Sequence, residues 1–165
     1  MYRRIVVPLD SSGLAEEALP QATELARLVG APLHLLRVVD YLRLERYGPY
    51  ALALEYSAVE PVLETEIGEA TNYLRGLEER LAREGVAVET EVRQGRVARE
   101  IVAAAKPGDL IVMSSHGRGG LSRWLLGSVA EDVLRHAPVP ILLVRSGTGP
   151  GDAEAAFAST AAVAG

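Results

Sequence analysis

Residues 109–145 constrain the fold more than any other part of this chain, reading DLIVMSSHGRGGLSRWLLGSVAEDVLRHAPVPILLVR. Leu110 to Met113 form an unbroken apolar run, as expected of a parallel strand buried on both faces. The run opens into Ser114, Ser115, His116 and Gly117, with Gly119 and Gly120 close behind and Gly127-Ser128 ten residues after Gly117. Val129, Ala130, Val133, Leu134 and Ala137 then recur at helical spacing. The spacing predicts Ser128 as the helix cap, with Glu131 three residues on completing a capping box. Arg135 and His136 suit the negative end of the helix dipole, and Pro138 and Pro140 stop the helix. Ile141 to Val144 reads as a second buried strand. A strand, a small-residue loop and a helix in this order aim backbone amides at a place where an anion can sit.

The rest of the chain repeats that alternation. Ile5 to Leu9 is an apolar run closed by Asp10, and Pro8, which lacks an N–H, belongs near the strand's end. Ser11, Ser12 and Gly13 turn into a helix with Ala15, Ala18, Leu19, Ala22, Leu25, Ala26 and Val29 on one face; Pro20 predicts a kink or a later start. Gly30 ends that helix, and Pro32 to Val39 is the next strand. Between Tyr41 and Glu60 the pattern fails, and four of the six tyrosines fall there. So long a stretch without a pattern predicts a partly helical segment or a lid.

Pro61 is expected to start a long helix with a stripe of Leu63, Ile67, Ala70, Leu74, Leu77 and Leu81. Val86, Val88, Thr90 and Val92 alternate with polar residues, which marks a half-exposed edge strand. A short helix over Val97, Ile101, Val102 and Ala105 leads back to the opening stretch. The whole reads as an α/β domain: a doubly wound, five-stranded parallel sheet of order 3-2-1-4-5, Rossmann-like, over residues 1–146, with a loose Gly- and Ala-rich tail over 147–165. Its topological switch point lies between the first and fourth strands, where Asp10 and the Ser114–Gly117 loop come together.

Composition narrows the function. A net charge of −5 argues against a nucleic-acid binder working through a broad basic face. The chain has no cysteine, hence no disulfide frame, thiolate metal site or thiol nucleophile. The three histidines are scattered without metal-ligand spacing, and no Ser-His-Asp set has defined roles. No stretch is long enough for a membrane span or a signal peptide, so a cytoplasmic location is expected.

Pro8-Leu9-Asp10, Ser114-Ser115-His116-Gly117 and Gly127-Ser128-Val129 together resemble the universal stress protein family over residues 2–145. The family's signature runs glycine, two residues, glycine, nine residues, then glycine and a hydroxyl residue. Gly117, Gly127 and Ser128 match it; Ser114 stands where the first glycine would admit phosphates closely. The resemblance implies ATP as ligand, with any Mg2+ held mainly by the phosphates. It places the adenosine against Pro8, Leu9, Asp10, Val38 and Met113. It places the phosphates on Gly117, Gly127, Ser128 and Val129 through amides and the serine hydroxyl, flanked by Ser114, His116 and Arg118. It also implies a homodimer through Val139–Val144 and a stress-response role with little turnover. One alternative is a relative that dimerises without nucleotide. Another is a slow ATP hydrolase or adenylating enzyme, for which no P-loop, no Ser-Gly-Gly loop and no second domain can be found.

Overall fold

A computed structural model describes residues 1–40, 59–115 and 126–145. Five parallel strands, β1 (Arg4–Leu9), β2 (Leu33–Val39), β3 (Val88–Gln94), β4 (Asp109–Ser114) and β5 (Ile141–Val144), form one sheet of order β3-β2-β1-β4-β5. This is the order the apolar and alternating runs predict. Period-two alternation splits the core. Ile5, Val7, Leu9, Leu33, Leu35, Leu110 and Val112 face three helices, α1 (Gly13–Glu16), α2 (Leu19–Val29) and α3 (Val59–Arg83). Val6, Leu36, Val38, Ile111 and Met113 face α4 (Val97–Ala104) and α5 (Ser128–His136).

Pro20 acts as expected. The first helical turn breaks after Glu16, and α2 begins at Leu19 with the proline in its first turn, where a missing N–H costs nothing. Gly30 closes α2 in the left-handed region at φ 66°. The long helix starts at Val59, so Pro61 is its third residue and not its first. Its C-terminal half carries the buried stripe Ala70, Leu74, Leu77 and Leu81, while Leu63 and Ile67 are only half-buried. The third strand runs two residues later than its alternation suggested, with Val86 already buried ahead of it.

β5 corrects an expectation. Its apolar run reads as buried, yet Leu142 is exposed and its neighbours are half-buried, because among the described residues the strand pairs only with β4 and forms an edge of the sheet. At the opposite edge, His34 on β2 is buried and its Nε2 lies 2.8 Å from Glu91 on β3. Beneath the centre, the Asp109 carboxylate is buried against Arg4 (2.7 Å) and accepts the Lys106 amide at 2.9 Å. Arg4 also donates to the Ala104 carbonyl, tying β1 to the end of α4. The Tyr41–Glu60 segment up to residue 58, and the tail beyond Arg145, lie outside the described residues.

Candidate functional site

β1 pairs with β2 through to Leu9↔Arg37, but with β4 only from Arg4↔Asp109 to Val6↔Ile111. The reason lies in Pro8. Ile5 donates its N–H to Pro32 on the β2 side, so by strand alternation the Pro8 nitrogen faces β4, where it has no proton to give. The ladder stops there, at the C-terminal ends of β1 and β4, which is the switch point of the sheet and the place where open α/β sheets form their crevice.

Asp10 leaves β1 on one side of this crevice. Its Oδ1 accepts the Ser12 N–H at 3.0 Å and the Ser12 hydroxyl. It does not cap the following helix: Ser12 does, with its Oγ accepting the Ala15 N–H at 3.2 Å. Leu9, Val38 and Met113 are buried beneath, and Pro8 is half-buried. Val38 and Met113 share the face of the sheet covered by α4 and α5.

On the other side, the chain leaves β4 at Ser115 and returns at Gly127. Ser115 donates to the Val144 carbonyl at 2.8 Å, and its own carbonyl accepts the Gly127 N–H at 2.9 Å. That closure seats the start of α5 against the end of β4. Two expectations change as a result. Gly127, in an extended conformation, is the N-cap, so Ser128 is the first helical residue and makes no cap bond. Glu131 does not complete a capping box; its carboxylate takes Arg135 at 3.0 Å, one turn on. The Gly127 amide is also spent on Ser115, which removes it from the amides an anion could use. The first intrahelical bond runs from Glu131 N–H to the Gly127 carbonyl at 2.9 Å. The amides of Ser128, Val129 and Ala130 therefore have no acceptor within the helix, and the exposed Ser128 carries a hydroxyl not used for capping.

Ser114 ends β4 and is buried. Alternation puts it on the side of Leu110 and Val112, away from Met113 and from α5. Its bulk therefore does not occupy the space in front of the α5 amides. Ser114→Gly is expected to lower stability by about 1 kcal/mol, from the extra freedom of the unfolded chain; a urea melt reads the loss.

His116, Gly117 and Arg118 lie outside the described residues. Among the described residues no group of His, Asp and Glu could hold a metal ion, and no helix is long and apolar enough to cross a membrane. A cavity of about 680 Å3 lies at the other end of the sheet, lined by Tyr2, Pro107, Pro138 and Pro140. The carboxylate bordering it, Asp109, is already bound by Arg4. Sequence reasoning missed Ser12 and Ser115, which fix Asp10 and Gly127. The Asp-x-Ser spacing was the available signal for the first.

The model of the universal stress protein family matches residues 1–145. The chain belongs to the universal stress protein family. It is 37% identical over 150 residues to universal stress protein MJ0531 of Methanocaldococcus jannaschii, covering 88% of this chain and 83% of that one. The solved structure of MJ0577, a universal stress protein of the same organism, superposes with a TM-score of 0.76 at 28% identity, covering 90% of this chain and 99% of that chain. A universal stress protein solved in complex with cAMP shares the fold at a TM-score of 0.59 and 21% identity, over 88% of this chain and 98% of its own. The Rossmann-like order of strands is thus that of universal stress proteins, and the β1–β4 crevice is where this fold class takes its ligands.

Proposed function

We propose that this universal stress protein binds ATP in the β1–β4 crevice and acts as a cytoplasmic stress-response module with little or no turnover. The observation that carries this reading is the pairing of two features across one gap. The Asp10 carboxylate, held by Ser12, stands at the end of β1, and the amides of Ser128 and Val129, which have no acceptor within the helix, stand at the start of α5. A carboxylate accepts only, so it meets the donor groups of the adenosine; amides at a helix N-terminus donate only, so they meet phosphate oxygens. Val38 and Met113, on the face covered by α4 and α5, together with Pro8 would supply the apolar floor for the base, while Leu9 lies on the opposite face and would border the site only at the strand end. The cAMP complex of a relative with this fold supports an adenine ligand. Any Mg2+ would be held chiefly by the phosphates, since the described residues offer no carboxylate cluster for it.

A homodimer through Val139–Val144 is part of the proposal. The exposed Leu142 on an edge strand is the kind of surface a second copy covers. Freshly purified protein, denatured and filtered, should release adenine nucleotide in near-equal amount to protein, or show a clear thermal shift with ATP and magnesium. Neither release nor shift would favour the relative that dimerises without nucleotide.

A further inference from the structure

Ser12 holds one oxygen of the Asp10 carboxylate. Oδ1 takes two donors from Ser12, the backbone N–H and the hydroxyl, while the same hydroxyl oxygen accepts the Ala15 N–H at 3.2 Å. A hydroxyl that gives its one proton and receives an amide is bonded in both directions, and each bond polarises the other. The turn that makes this possible passes through Ser11 at φ 65°, the one non-glycine residue with positive φ among the described residues. α1 is anchored at its far end as well. Glu16 accepts the Tyr73 hydroxyl at 3.0 Å and Arg80 at 3.3 Å from α3, and Ala15 is buried. Burial and the Glu16 carboxylate push the Tyr73 phenol well above its ordinary pKa, so it stays protonated and able to donate.

We infer that Ser12 is the positioning residue for Asp10: it holds one carboxylate oxygen so that Asp10 meets the adenosine donors in a fixed orientation. This rests on the nucleotide reading above. Ser12 does not touch the ligand; it acts through Asp10, with α1 as the rigid seat behind it.

The test is a double-variant cycle in the full chain, with ATP affinity read by calorimetry and folding by thermal melt. Ser12→Ala is expected to weaken ATP binding about tenfold, the worth of a hydrogen bond to a charged group. Its melting temperature should drop by about 3 °C from the lost cap. Ser12→Gly removes the hydroxyl while keeping a good cap residue, so it should lose the same affinity with less change in melting. Ser12→Thr should restore binding to within about threefold, since its hydroxyl can take the same two bonds. In an Asp10→Ala background, Ser12→Ala should cost no further affinity, although its effect on melting persists. A merely structural serine would give additive losses instead, and additive losses with a wild-type protein that binds ATP would overturn this inference alone. A folded wild-type protein that binds no ATP would overturn the nucleotide reading and this inference with it.

Discussion

Asp109→Ala is expected to lower stability by about 3 kcal/mol and the melting temperature by about 10 °C, because it leaves a guanidinium largely out of water without its counter-ion. The carboxylate is 3% exposed and its partner Arg4 is 14% exposed. The same substitution strips the Lys106 amide of its acceptor at the turn that starts β4. Burial works to raise the Asp109 pKa, but the Arg4 pair and the Lys106 amide outweigh it and leave the carboxyl below its ordinary value. A carboxyl whose pKa is lower folded than unfolded contributes stability that is complete above the unfolded value, about 3.9, and fades as pH falls through the folded one. Glu91 adds to the same slope: burial opposes it, while Arg93 and His34 bring its pKa down. Urea melts at pH 7 and pH 3 should therefore show a large gap between wild type and Asp109→Ala at pH 7 and a smaller one at pH 3. A loss below about 1 kcal/mol at pH 7 would mean that the Arg4–Asp109 pair does not hold β1 and β4 together.

Ser128→Glu separates folding from binding. A carboxylate in the first turn of α5 is favourable to the helix dipole, so stability should hold or rise by a few tenths of a kcal/mol. The same charge stands where the phosphates are proposed to lie, and repulsion at close range should reduce ATP affinity by about 100-fold. Ser128→Ala, which loses only a hydroxyl, should cost about fivefold. A Ser128→Glu protein that melts like wild type and binds ATP equally well would place the phosphates elsewhere.

Most of the fold was legible because buried parallel strands leave unbroken apolar runs and an edge strand leaves alternation. Val88–Gln94 shows the second pattern and Leu110–Met113 the first. Ile141–Val144 misled because an apolar run looks the same whether or not a layer covers it; only the pairing shows that, among the described residues, β5 is an edge strand. The cap of α5 shifted by one residue for a reason remote in sequence: the Ser115 carbonyl takes the Gly127 amide and decides where the helix can begin. His34 and Glu91 pair across strands through a register that period-two alternation does not encode. Asp10 was legible as a strand-end acid, but its tether to Ser12 depends on a turn geometry at Ser11 that local sequence leaves open.

Backbone amide resonances followed during an ATP titration test the central claim most directly. The signals of Ser128 and Val129 should move furthest and saturate together with those flanking Asp10. The Gly127 amide, held by Ser115, should respond less than its two successors. Saturable binding of ATP that leaves the Ser128 and Val129 amides unmoved, or no binding at all by the folded protein, would contradict the account.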